Sequence, residues 1–203
     1  MRPESLSELQ LDAIREMGSI GAGHAATALA QITGRPVDID VPEIRLIPVA
    51  DVPHAVGGPE TLVGAVFSRL LGDVEGSVLF LATREALLGL VDLLHSRPVG
   101  TTTSLGAAEE SVIAQTGFVL VTAYLTAIGR LADLTILPSR PAFAFDMSGA
   151  VLDSIAAEVG MKADTAILVK TTFSTEEERV DAVLLYMPDP DSLEVMLGKL
   201  GVV

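Results

Sequence analysis

The sequence predicts an α+β fold in which a single domain, residues 1–203, is built from two similar halves related by a pseudo-two-fold axis. Segments rich in β-branched residues are grouped between helical segments, which favours α+β over a doubly wound sheet. The same order of segments recurs on both sides of a polar linker, residues 97–104. An apolar fraction of 49% over 203 residues is enough for a sizeable core.

The first element is a long helix from about Leu6 to Thr33. Ser5-Leu6-Ser7-Glu8 has the spacing of a capping box, and Gly34 followed by Pro36 marks the end of the helix. Apolar residues recur between these ends at steps of three and four, at Leu6, Leu9, Ala13, Met17 and Ile20.

Four segments with the composition of β-strands follow this helix. They cover residues 37–41, 44–49, 62–67 and 76–81, and the last of them has the uniform hydrophobicity of a buried strand. Helical periodicity returns over residues 83–94 and ends near Pro98. The linker 97–104 (RPVGTTTS) is polar and rich in turn-forming residues.

The second half repeats these elements. A helix predicted from an N-cap at Ser104 to about Asp133 matches the first helix at an offset of 99 residues, which places Ile14 on Ile113. After a small insertion the offset becomes 106, and residues 78–81 then align with 184–187. We therefore predict an ancient duplication with repeats at about 5–96 and 104–200, whose equivalent long helices pack on a shared sheet.

Composition and charge exclude several classes of function. The net charge of −14 disfavours nucleic acid and anionic membranes as partners, because both are bound through Lys and Arg clusters. The absence of Cys excludes disulfides, thiol catalysis and thiolate zinc sites. The three His residues lack metal-ligand spacing, so we expect no metal site. Residues 111–129 are interpreted as a buried helix and not a membrane span, and the start of the chain has no signal-peptide pattern, so we expect a cytoplasmic location without membrane insertion.

A candidate site lies on the first helix. Asp12, Glu16 and Ser19 are spaced i, i+4, i+7, which brings them to one side of the helix over two turns. Taken alone, this spacing is more typical of a solvated helix face than of a site. The second half keeps polar residues at two of the three equivalent positions, and both triplets are followed by a proline at the same interval. The equivalent residues are Ser111, Gln115 and Phe118, and the prolines are Pro42 and Pro141.

Four other residues of the first helix invite a functional interpretation. Gly18, Gly21 and Gly23 resemble part of a phosphate-binding loop, but no strand precedes them, so we expect them to allow close helix packing. His24 could approach a bound partner, but we expect it to be partly buried in packing.

The candidate site carries a resemblance to a known family. The order Asp or Ser, three residues, Glu, two residues, Asn, twenty-two residues and Pro is the signature of the CheC, CheX and FliY phosphatases of chemotaxis. Asp12, Glu16 and Pro42 match it, and residues 16–29 (EMGSIGAGHAATAL) look like the first helix of CheC. The resemblance covers essentially the whole chain, including the duplication.

The resemblance implies an activity and a role for each residue. The substrate would be the aspartyl phosphate of the response regulator CheY, with Mg²⁺ held by the regulator and no cofactor on this chain. Glu16 would pair with a regulator lysine, Asp12 would support the face, and Pro42 would shape the adjoining loop or strand. Ser19 stands where the family has the Asn that orients the attacking water, and its hydroxyl is shorter than a carboxamide.

The second site departs further from the family. Gln115 replaces the Glu and removes the charge that would meet a lysine, and Phe118 replaces the Asn with a ring that cannot form hydrogen bonds. We predict that this site is inactive and that Phe118 is buried.

Two other functions stay open at this point. The chain could be a catalytically silent adaptor that binds CheY or the receptor deamidase CheD, since neither site is complete. It could also be a subunit associated with the flagellar switch, whose middle domains share the expected fold, although no additional motor-assembly domain is present in the chain.

Overall fold

The computed structural model describes residues 6–34, 36, 38–39, 43–159, 164–174 and 179–202. The elements in the first half are α1 (Glu8–Thr33), β1 (Asp38–Ile39), β2 (Glu43–Pro48), a 3-10 turn (Val49–Asp51), α2 (Val52–Ala55), β3 (Leu62–Gly72), β4 (Gly76–Thr83) and α3 (Arg84–Leu94). Those in the second half are α4 (Ala107–Ala132), β5 (Ile136–Pro138), β6 (Ala142–Met147), α5 (Ser148–Val159), β7 (Thr165–Ser174), β8 (Arg179–Pro188) and α6 (Pro190–Lys199).

The strands of the described chain form one antiparallel sheet. Its order is β1-β7-β8-β4-β3-β5, and β2 and β6 pair with β7 and β3 respectively. The long hydrophobic strands β4 and β8 lie at the centre, and the short strands lie at the edges. The predicted α+β class is confirmed.

The sheet is covered on both faces because successive side chains of a strand point to opposite sides. Val78 and Phe80 of β4 join a core with α1, α3, α4 and α6. Leu79 and Leu81 of the same strand join a second core with α2 and α5. The structure therefore has three layers, and the two long helices lie together on one face of the sheet.

The two halves are arranged symmetrically. Helices α1 and α4 are each 26 residues long, begin 99 residues apart and pack against each other. At the centre of the sheet Leu79 pairs with Leu185, the residue 106 positions later, and the flanking pairs are Val78 with Tyr186 and Phe80 with Leu184. Exchanging the halves maps this register onto itself. The common ancestry of the halves and the predicted repeat boundaries stay predictions.

The start of α1 differs from the prediction by two residues. Ser7 is the N-cap, and its hydroxyl accepts a hydrogen bond from the Gln10 amide at 3.3 Å. The Gln10 side chain in turn accepts from the Ser7 amide at 2.9 Å. This box satisfies two amide groups of the first turn, so the helix begins at Glu8. The predicted end is confirmed, because Gly34 has φ 67° after Thr33.

The predicted N-cap at Ser104 is wrong. Helix α4 begins at Ala107 with Gly106 as its N-cap, and the Glu109 carboxylate accepts a hydrogen bond from the Gly106 amide at 3.0 Å. An acidic side chain in the first turn of a helix can supply the acceptor that the cap residue lacks. Hydrogen bonds from the Glu109 backbone amide and, second, from the Gly106 amide lower the pKa of the Glu109 carboxyl.

Helix α4 is also the most apolar long helix. It is long and apolar enough to cross a membrane, but 56% of its most apolar window is buried inside the fold. Ile113 and Leu120 are among its fully buried side chains. This burial agrees with the interpretation of residues 111–129 as a core helix.

The linker between the halves is held by one buried carboxylate. Asp92 of α3 accepts hydrogen bonds from the amides of Gly100, Thr101 and Thr102 at 2.9 to 3.2 Å and from the Thr102 hydroxyl at 2.6 Å. Burial acts to raise the pKa of this carboxyl, but the hydrogen bonds outweigh it and leave the pKa below its ordinary value of 3.8. Sequence reasoning missed this anchor, and it also missed α2 and α5.

Candidate functional site

The predicted triplet lies on the outer side of α1. Asp12, Glu16 and Ser19 are all exposed, whereas Ile14 and Met17 on the opposite side are fully buried. We call Asp12, Glu16 and Ser19 the motif face. On an ideal helix they fall within about 60° of one another in projection, so a single partner surface can contact all three.

A glycine positions this part of the helix against the sheet. A methyl group at Gly18 would lie 2.5 Å from the Ile44 Cδ1 atom of β2, so the end of the Ile44 side chain would have to move to admit a larger residue. The close approach explains the lack of a side chain at position 18 and directs the neighbouring Ser19 away from the sheet. Gly117 plays the same part in α4, where an added methyl would lie 2.7 Å from Val66.

The two carboxylates of the motif face differ in whether they have an ion-pair partner. Asp12 forms an ion pair with Arg15 at 2.8 Å, and both side chains are more than half exposed. Such a surface pair contributes little to stability but partly neutralises the carboxylate. Within the described part of the chain, Glu16 and Ser19 have no hydrogen-bond or ion-pair partner, so the Glu16 carboxylate is available to an external cation.

On α4, the residues at the first two equivalent positions form a hydrogen bond with each other. Ser111 and Gln115 are exposed, and the Gln115 amide donates to the Ser111 hydroxyl at 3.1 Å. Phe118 was predicted to be buried, and it is half-buried. This face has no negative charge and no free polar group at its third position.

The structure describes only one of the two prolines of the pattern. Pro42 lies outside the described residues. Pro141 is half-buried between β5 and β6, directly before the strand that pairs with β3. The contributions of both prolines to a site stay predictions.

The expectations for the glycines and the histidine were partly wrong. Gly21 does allow close packing, because an added methyl would collide with the ring of Tyr124 on α4. Gly23 has no heavy atom within 4 Å of an added methyl and is exposed, so packing does not explain it. His24 is also exposed and not partly buried.

The motif face has groups that can bind a partner and position a water. A serine nucleophile needs an adjacent base, and no described side chain bonds to the Ser19 hydroxyl. In the described residues no group of three His, Asp or Glu side chains could hold a metal ion. A carboxylate and a hydroxyl on an open helix can bind a partner and orient a water against it, while the reactive bond belongs to the partner.

Comparisons with known proteins agree with this description. A model of the CheC-like family matches residues 9–45, which contain all but the first residue of α1 and include the motif face. The chain is 32% identical over 200 residues to the CheY-P phosphatase CheC of Bacillus subtilis (strain 168), covering 97% of this chain and 96% of that protein.

Two solved structures are similar in fold. The structure of FliY from Thermotoga maritima matches with a TM-score of 0.78 at 19% identity, covering 97% of this chain and 98% of the other. The CheX protein in the CheX–CheY–BeF3–Mg²⁺ complex from Borrelia burgdorferi matches with a TM-score of 0.51 at 14% identity, covering 83% and 95%. At these identities the two matches establish the fold.

Proposed function

The chain belongs to the CheC-like family, and from that premise we propose that it dephosphorylates a CheY-like response regulator through the motif face of α1. The observation that carries this proposal is the free carboxylate of Glu16, exposed beside Ser19 on a helix that the family model matches. The full-length similarity to a CheY-P phosphatase supports the same activity.

In this mechanism the regulator brings the reactive group. Its aspartyl phosphate is an acyl phosphate, and we expect Mg²⁺ on the regulator to neutralise phosphoryl charge. Glu16 pairs with a lysine of the regulator and sets the position of the helix. The Ser19 hydroxyl then holds a water in line with the phosphorus. Attack by that water breaks the bond between phosphorus and the aspartyl oxygen, which releases inorganic phosphate and restores the aspartate.

Such catalysis depends on geometry and needs no strong base. Holding a water at the attacking distance removes much of the entropic cost of bringing it there. Ser19 has a shorter reach than the family's Asn, so we expect a lower rate from this site than from one with a carboxamide. The second face offers Gln115 and Phe118, neither of which supplies a charge for a lysine.

The test is a comparison of equivalent substitutions on the two helices. Glu16→Ala should weaken binding to the phosphorylated regulator by about 2 kcal/mol, or about thirtyfold in Kd, because a lysine is left without its partner. Gln115→Ala is the matched control and should change Kd by less than about threefold. Phosphate release from the regulator should fall in parallel for Glu16→Ala alone. Equal losses for both variants would remove the assignment to α1.

A second candidate function is binding without hydrolysis. The lack of a carboxamide at both third positions, Ser19 and Phe118, favours it. In that case the chain would act as an adaptor for a CheY-like regulator or a CheD-like receptor deamidase. Native binding with no increase in phosphate release over the regulator alone would establish this alternative. Both functions operate on cytoplasmic partners, and we propose a cytoplasmic location.

A further inference from the structure

Gly23 is the one glycine of α1 whose presence packing does not explain. Its α1 neighbours Gly18 and Gly21 lie against Ile44 and Tyr124, and an added methyl at either position would require those side chains to move. Gly23 faces open space, although glycine in a helix interior is less favourable than alanine. A glycine that weakens the helix without an internal reason points to something outside the chain.

The position of Gly23 relates it to the motif face. It follows Ser19 by four residues and Glu16 by seven, so it lies on the same side of the helix, about 6 Å along the axis from Ser19. In projection it falls about 20° from Glu16, between the directions of Glu16 and Ser19. A surface that contacts Glu16 and Ser19 therefore passes directly over Gly23.

Thr27, one turn after Gly23, does not extend its side chain away from the helix. The Thr27 hydroxyl donates to the Gly23 carbonyl at 3.0 Å, which turns the Thr27 side chain back onto its own helix. Ser19, Gly23 and Thr27 are all exposed and none has a long side chain, so α1 is open to a partner at Gly23, beside the Glu16 carboxylate.

The second half lacks the same opening. The residue equivalent to Gly23 at the offset of 99 is Thr122, whose half-buried side chain donates to the Phe118 carbonyl at 2.7 Å. The open glycine thus occurs on the helix that keeps the carboxylate and is missing from the helix that has lost it.

We propose that Gly23 is a contact residue for the response regulator, at which a regulator segment packs directly on the main chain of α1 while Glu16 and Ser19 engage the phosphorylated site. This proposal rests on the proposed function and adds a specificity-determining residue to it. A side chain at position 23 would hold the partner away from the helix, and the distance from the Ser19 hydroxyl to the phosphoryl group would increase.

The experiment measures binding and stability together. The native chain, Gly23→Ala and Gly23→Leu are titrated against the regulator carrying BeF3 and Mg²⁺, a stable analogue of its phosphorylated form. Gly198→Ala is the matched control, because Gly198 is an exposed glycine of α6, outside the motif face. Thermal unfolding is recorded for every variant.

We expect Gly23→Ala to raise Kd about tenfold and Gly23→Leu to raise it further. Both alanine variants should raise Tm by about 2–4 °C, since alanine favours the helix. A stability gain with an affinity loss is a combination that a structural role of Gly23 would not produce. Gly198→Ala should leave Kd unchanged.

Two results would overturn the proposal. If Gly23→Ala binds within twofold of the native chain while Glu16→Ala loses affinity, the proposed function stands and the role of Gly23 is wrong. If the native chain itself does not bind the regulator, both the proposed function and the role of Gly23 are wrong.

Discussion

Removing the Asp92 carboxylate should destabilise the protein without altering the motif face. Asp92 is fully buried and holds the linker between the two halves. Its Oδ2 atom accepts from the amides of Gly100, Thr101 and Thr102, and its Oδ1 atom accepts from the amide and hydroxyl of Thr102. The Thr101 amide also donates to the Pro98 carbonyl of the linker itself at 3.2 Å, so Asp92 is the acceptor that ties this segment to α3.

The expected magnitude follows from this geometry. Hydrogen bonds to a charged group each contribute about 1.5–3 kcal/mol, but the linker can recover part of the loss by exposing its amides to water. Asp92→Ala should therefore reduce the free energy of unfolding by about 3–4 kcal/mol. Asp92→Asn keeps one carbonyl for the Gly100 and Thr101 amides, so it should cost about half as much.

The pH dependence has a definite sign. Because the pKa of Asp92 is lower in the folded protein than its ordinary value of 3.8, its contribution to stability is present above that value. It is lost as the pH falls through the folded-state pKa. The difference between native protein and Asp92→Asn should therefore be constant from pH 5 to 8 and shrink below about pH 4.

Urea unfolding of the native chain, Asp92→Asn and Asp92→Ala at several pH values measures these differences. For a chain of 203 residues, a loss of about 3 kcal/mol corresponds to a Tm lower by roughly 6–12 °C. A difference of less than about 0.5 kcal/mol for Asp92→Ala would refute the reasoning. So would a difference that grows on acidification.

Two further predictions concern the long helices. Ser19→Asn should raise phosphate release from the regulator by about tenfold or more, since a carboxamide reaches farther towards the water, whereas Phe118→Asn should do little beside the neutral Gln115. An unchanged rate for Ser19→Asn with retained binding would show that position 19 does not orient water. Gly21→Ala should destabilise the protein by about 1–3 kcal/mol in urea unfolding, because the added methyl collides with Tyr124. A neutral or stabilising effect would mean that the two helices separate at no cost.

The long helices and the motif face could be predicted from the sequence because both depend on local geometry. Glu16 and Ser19 are three residues apart, and helical periodicity alone brings them to one side. Gly34 ends α1 as predicted for the same reason, since a left-handed residue terminates a helix wherever the helix lies. The order of the segments along the chain also predicted that the strands are grouped, and therefore predicted the α+β class.

The pairing of distant segments was decided by the tertiary structure. The offset of 106 residues aligned Leu79 with Leu185, but only the sheet made these two residues partners across its centre. Helical periodicity did not distinguish the exposed Gly23 from the packed Gly21. Gly21 is packed because it lies against the ring of Tyr124, a residue about a hundred positions away in the chain.

Asp92 shows this difference between sequence pattern and tertiary structure at a single residue. In the sequence it is one of 27 acidic residues in a chain of net charge −14, and its apolar neighbours Val91 and Leu93 do not show which groups it bonds to. Its role arises when the linker folds back over α3 and directs three amides at one carboxylate. Local pattern specifies which element a residue belongs to, and its role depends on which distant groups the fold brings within hydrogen-bonding distance of it.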